Sequence, residues 1–181
     1  MIYNYNKAIA ILKDQGALAQ RLQALKEREK DNEEAAQKWE HCLVLKEVDV
    51  EAGVPTPMQM LARLQTPRGI EFAIKTGLPT HEMLDRYIGN HLQQGVITHG
   101  KGFTLCNPRN ENGRNIFIVA GKDTEVKVVL TEPVHPSPVF VALHGATVHI
   151  EAQGFAVCRA IRGKGSRITT AAKDEAIILK D

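Results

Sequence analysis

The sequence predicts an α+β protein: an N-terminal amphipathic or coiled-coil helix, a short helical segment and a C-terminal β-solenoid, with an antiparallel β-sandwich or meander as the alternative. Three observations lead there. Apolar residues recur at steps of three and four from Ala8 to about Trp39. Between Pro57 and Gln94, Thr-Pro and Gly signals cut the chain into short helical stretches. From Val96 onward the apolar period falls to two. The resulting segments are an arm over 1–52, a helical segment over 53–95 and a β-rich domain over 96–181.

In the arm, Ala8, Ile11, Leu18, Leu22, Leu25, Ala36, Trp39 and Leu43 follow a heptad seam if Gln15, Glu29 and Asn32 fill the missing places. Gly16 is a candidate break. Lys26 to Glu34 carries mixed charges at i, i+4 spacing and predicts a solvated helix. Such a helix either packs on its own domain or self-associates, in which case Ile11, Leu18, Leu22 and Leu25 are the oligomerisation contacts. His41 to Val50 turns β-branched and aliphatic, and Ala52 to Pro57 is a breaker cluster.

Thr56-Pro57 and Thr66-Pro67 each place an N-cap before a proline at the first helical position. The second predicts a helix through Ile74 that stops at Gly77. Thr80 predicts a third helix with Met83, Leu84, Tyr87, Ile88 and Leu92 on one face and Gly95 as its stop. Strands are then expected at Val96–Thr98 and Phe103–Cys106 around a Gly100–Gly102 turn, at Ile116–Val119 and at Glu125–Leu130. Asn107 to Asn115 reads as a polar loop. Glu132 to Pro138 contains three prolines and cannot carry a ladder.

The last forty residues hold the strongest pattern. Corners fall at Gly145, Gly154, Gly165 and Asp174, so alternate corners stand twenty residues apart. A constant twenty suits one coil of a parallel solenoid, in which Gly145 stacks on Gly165 and Gly154 on Asp174. Strand plus turn at about ten residues also suits an antiparallel meander.

Composition bounds function. The chain has 181 residues, 43 % hydrophobic, 5 % aromatic and 24 % charged, with a net charge of +2. That balance gives no strong pull toward nucleic acid or membrane, and no apolar run reaches the length of a transmembrane helix. No secretory signal is read at the start, so synthesis in the cytoplasm is expected. Cys42, Cys106 and Cys158 are odd in number and widely spaced, which points to reduced, packed thiols.

None of the seven histidines forms a ligand pair at metal-binding spacing, so no metal and no cofactor is expected. Gly163-Lys164-Gly165-Ser166 lacks the context of a phosphate-binding loop. One charge feature stands out. Arg159, Arg162, Lys164, Arg167 and Lys173 lie between Ala152 and Lys173 without a single acid. On a β-layer they form either a solvated face or an anion-binding face for nucleic acid or glycan.

A resemblance adds to this reading. Arg68-Gly69-Ile70-Glu71-Phe72-Ala73-Ile74 with Pro79-Thr80, then Phe103 to Arg109, then His144 to Val148 with Ala152 to Val157, resembles a group of small uncharacterised proteins of gut Bacteroides-type bacteria and their phages or mobile elements. It covers about Pro67 to Leu179. It implies a β-solenoid-like C-terminal region and a setting in phage or mobile-element biology, with no catalytic residues. The expected function is a non-enzymatic structural or assembly protein that self-associates and meets other virion or assembly proteins. The alternatives are a binding module for nucleic acid or anionic glycan, and an enzyme of unidentified class working near His135 and His144.

Overall fold

The computed structural model describes residues 61–181 apart from positions 63, 78 and 112. The arm, with Ile11, Leu18, Leu22 and Leu25, lies outside the described residues. Among the described residues from 67 onward, nine strands follow two short α-helices: α1 (Pro67–Thr76), α2 (His81–Tyr87), β1 (Val96–Ile97), β2 (Gly100–Cys106), β3 (Ile116–Ala120), β4 (Thr124–Leu130), β5 (Val139–Leu143), β6 (Thr147–Ala152), β7 (Val157–Arg162), β8 (Arg167–Ala172) and β9 (Ile177–Lys180).

Odd strands form one sheet in the order β1-β3-β5-β7-β9, and even strands form the other in the order β2-β4-β6-β8. Every strand pair within these sheets is parallel. The chain therefore winds as a two-sheet β-solenoid of about four turns, and the antiparallel alternative is set aside.

The twenty-residue coil is present where the sequence is most regular. Thr147 pairs with Arg167, Val139 with Arg159, and Val157 with Ile177. The corners stack as the spacing requires: Gly145 N–H donates to Ser166 Oγ at 3.0 Å, and Gly154 N–H to Asp174 Oδ2 at 3.3 Å. Asp174 adopts φ 58°, matching Gly154 at 65°; Asp is among the few non-glycine residues that enter this left-handed region readily. Upstream the coil lengthens, since Ile116 pairs with Val139. The extra residues lie in two excursions at one edge, 107–115 and 131–138.

Two cores account for the strand patterns. Between the sheets lie Phe117, Phe140, Val126, Val128, Val148, Ile150 and Cys158, with the two phenylalanine rings stacked at 5.4 Å. Outside the odd sheet lie Leu61, Leu64, Ile70, Ala73 and Leu84, packed on Val96, Ile116, Ile118, Ala120, Val141 and Leu143. β3 is therefore buried along its whole length, whereas β4 alternates buried and partly exposed. The even sheet keeps a wet outer face, as alternation implies.

The helices follow their caps. Thr66 Oγ1 accepts from Gly69 N–H at 3.0 Å, and α1 ends at Gly77 in the left-handed region, as read from the sequence. Thr80 caps α2, but α2 stops at Tyr87 rather than running to Gly95. Gly89 turns left-handed, and Asn90 accepts from Thr98 N–H at 2.7 Å and His99 N–H at 3.1 Å. That side chain ties the helix exit to the first corner of the solenoid. A short 3-10 turn, Leu92–Gln94, then leads into Gly95. The expected Gly100–Gly102 turn is also corrected: both glycines lie inside β2, at an irregularity between Gly100 and Phe103.

Candidate interaction surfaces

The helical layer covers the outer side of β1, β3 and β5 and reaches β7 only at Ile161, which is partly buried against it. The rest of β7, and β9, continue the same sheet beyond it. Their outward residues are Val157, Arg159 and Ile161 on β7, and Ile177 and Leu179 on β9, with Phe155 at the preceding corner. Phe155 is 71 % exposed, Ile177 51 % and Leu179 54 %. Three of the four large exposed hydrophobics among the described residues thus share one strip. Arg159 lies within it, and its guanidinium pairs with the Asp181 carboxylate.

The five candidate anion-binding cations do not share a face. Arg162 ends β7, Lys164 occupies the 163–166 corner and Arg167 begins β8, so these three converge on one corner. None of the three has an ion-pair partner among the described residues. The stem of Lys122 crosses Gly145 in the neighbouring corner, where an added Cβ would lie 2.8 Å from Lys122 Cγ. Arg159 belongs to the apolar strip. Lys173 lies at the opposite edge, beside a shallow groove of about 330 Å³ also lined by Val129, Glu151 and Gln153.

The outer face of the even sheet carries a polar ladder. Lys127 pairs with Glu151 at 2.9 Å. His149 donates from Nε2 to Glu125 Oε1 at 3.2 Å and accepts at Nδ1 from the Thr169 hydroxyl at 2.5 Å. These contacts run between successive rungs and satisfy one another.

A second polar cluster joins α2 to the solenoid. Thr98 Oγ1 donates to Asp85 Oδ1 at 2.5 Å, and His99 Nδ1–H donates to the same oxygen at 2.7 Å. The Thr98 hydroxyl first and His99 second hold the Asp85 carboxyl below its ordinary range. His81 Nε2–H donates to the Thr98 carbonyl at 2.6 Å, and His144 Nε2–H to the Pro79 carbonyl at 2.7 Å. Backbone and Thr80 hydrogen bonds lower the Glu82 carboxyl as well. Each imidazole here is spent on fastening helix to coil.

Among the described residues no group of three or more metal-ligating side chains converges, and no helix is long and apolar enough to cross a membrane. His135 and His144 stand at opposite edges, in the 131–138 excursion and the 144–146 corner. Cys158 is buried between the sheets, and burial raises its thiol to about 11; Cys106 is exposed.

No family model, curated protein or solved structure matches the chain. The surfaces themselves therefore carry the functional reading. Of these, sequence reasoning named the cations but grouped on one face residues that the fold separates, and it missed the apolar strip. Its signal was nevertheless present: β3 and β5 are continuous apolar runs, as doubly covered strands must be, whereas β7 interposes Arg159.

Proposed function

We propose that this chain is a non-enzymatic structural or assembly protein that self-associates. The observation that supports this is the apolar strip Phe155, Val157, Ile177 and Leu179, left bare where the helical layer ends. Contiguous exposed apolar surface of this kind marks a contact site more often than chance decoration. The heptad residues Ile11, Leu18, Leu22 and Leu25 supply a second proposed contact. The resemblance to phage and mobile-element proteins makes a virion or prophage-derived component the proposed setting, with other assembly proteins as further partners.

Light scattering over a concentration series tests the reading. The full chain is expected to exceed monomer mass. Leu18→Asp with Leu22→Asp, and separately Ile177→Asp with Leu179→Asp, are each expected to lower that mass. A monomer at every concentration would remove the proposal.

A second reading rests on the basic corner. Arg162, Lys164 and Arg167, with Lys122 two rungs away on the same edge, offer four cations to a polyanion such as nucleic acid or an acidic glycan. Binding to heparin or DNA should weaken steeply with salt and be lost in the Arg162→Ala, Lys164→Ala, Arg167→Ala triple variant. Retained binding in that variant would end this second reading.

A further inference from the structure

We infer that the bare strip on β7 and β9 receives the same strip of a second copy of this chain, face to face, about a two-fold axis parallel to the strands. This rests on the self-association proposed above and specifies its geometry.

The helical layer imposes the choice. It rises from the outer face over β1, β3 and β5, touches β7 only at Ile161, and leaves a step over the rest of β7. A helix is roughly 10 Å thick, and two sheets packed face to face stand about 10 Å apart. The step is therefore as deep as a sheet-on-sheet contact requires. A second copy turned about an axis along the strands lays its β9 over β7 and its β7 over β9. Its own helical layer then falls beyond the last rung of the first copy, and its last rung fills the first copy's step. An axis along the solenoid would instead set the two helical layers against each other, level and in collision.

Charge agrees with this arrangement. The twenty-residue register places Glu175 beside Phe155 and Asp181 beside Ile161, at the two ends of the strip. Turning about the solenoid axis would bring Glu175 against Asp181 of the other copy. Turning about the strand direction keeps these acids apart and sets Val157 over Ile177 and Arg159 over Leu179. Apolar side chains then cover each other, and each Arg159 and Asp181 stays at hand for its own partner.

Such a contact uses one patch on both copies, so it closes at two. The far end of the solenoid does not reopen it. His91 bridges β1 in antiparallel fashion, and β2 is broken by the irregularity at Gly100–Phe103 with Gly100 and Gly102 at positive φ. Short, bulged strands are poor templates for further pairing.

A single introduced thiol tests this in the full chain, with Cys42→Ser and Cys106→Ser removing competing thiols and Leu18→Asp with Leu22→Asp silencing the heptad seam. With rungs about 4.8 Å apart and sheets about 10 Å apart, Glu175→Cys should lie roughly 11 Å from its copy, within reach of a short bismaleimide. Asp123→Cys, in the second-rung corner between β3 and β4, should lie more than about 24 Å from its copy by the same spacing. The expected result is a two-chain mass, a covalent dimer from Glu175→Cys alone, and at least a tenfold weaker association with Ile177→Asp and Leu179→Asp. Association without the Glu175→Cys cross-link, or growth past two chains, would overturn the geometry while leaving self-association standing. A monomer in this background, with larger masses only when the heptad seam is intact, would overturn the strip as a contact and leave the arm as the route of association.

Discussion

At Gly121 the helical layer closely approaches a corner of the solenoid, and replacing the glycine with alanine tests that junction. Gly121 has φ 108°, and a Cβ there would lie 2.5 Å from His81 Nε2 and 2.8 Å from Cδ2. The backbone term alone is about 1–3 kcal/mol for a side chain held in a sparsely allowed region. The ring must also move, which breaks its 2.6 Å bond to the Thr98 carbonyl. That carbonyl keeps the Thr124 hydroxyl at 2.8 Å, so it is not orphaned. The lost bond is therefore worth only about 0.5–1.5 kcal/mol. Together Gly121→Ala should cost about 2–4 kcal/mol, or roughly 6–12 °C in Tm for a chain of this size. Gly165→Ala is the control: φ is 78° but nothing lies within 4 Å of the added Cβ, so only the backbone term applies. Urea unfolding of both variants, each with and without His81→Ala, separates the terms. Gly121→Ala and His81→Ala should show a coupling of about 1 kcal/mol, because removing the ring removes the clash. Equal costs at positions 121 and 165, with no coupling to His81, would refute the docking of α2 on this corner.

Three further outcomes are expected. Phe140→Ala removes a fully buried ring stacked on Phe117 and should cost about 3–5 kcal/mol in chemical denaturation; a loss below about 1 kcal/mol would contradict the inter-sheet core. Asp85 is held below its ordinary 3.8 in the folded chain, so its stabilisation is present above that value and is lost as pH falls through the lowered one. Asp85→Asn should therefore be less stable than wild type at neutral pH, with the gap closing in acid; a constant gap from pH 7 to pH 2 would show that the carboxylate is not the cause. A thiol reagent at neutral pH should label Cys106 quickly and Cys158 only after unfolding, since burial raises the Cys158 thiol to about 11; rapid mass-mapped labelling of Cys158 in the native state would argue against its placement.

Much of the fold was legible because its signals are local or strictly periodic. Thr66, Pro67 and Gly77 bound α1 through capping alone. The corners from Gly145 to Asp174 stood twenty apart because no insertion interrupts those rungs. Upstream the same coil was hidden by the excursions at 107–115 and 131–138, which add residues without adding rungs. The end of α2 was misread because its apolar spacing continues past Tyr87, while the bonds of Asn90 to a corner eight residues away in sequence decide where the helix stops. Gly100 and Gly102 suggested a turn, yet a parallel strand tolerates them at its irregular start.

The candidate surfaces were harder to read. Arg159 and Arg162 are three residues apart but separate onto a sheet face and a corner, and Lys173 goes to the far edge. Those destinations depend on strand phase and corner length together. The bare strip depends on where a layer from another part of the chain stops, which periodicity in β7 and β9 does not encode. Only the contrast between continuous β5 and interrupted β7 carries a trace of it.

The most direct test of self-association through this strip is a dilution series followed by methyl NMR on the full chain with labelled isoleucine and leucine. The Ile177 and Leu179 methyls should shift between dilute and concentrated samples, while Ile118 and Leu84, buried where the helical layer meets the odd sheet, should not. Concentration-dependent shifts confined to Ile11, Leu18, Leu22 and Leu25, or no shifts at all, would contradict the strip as the contact.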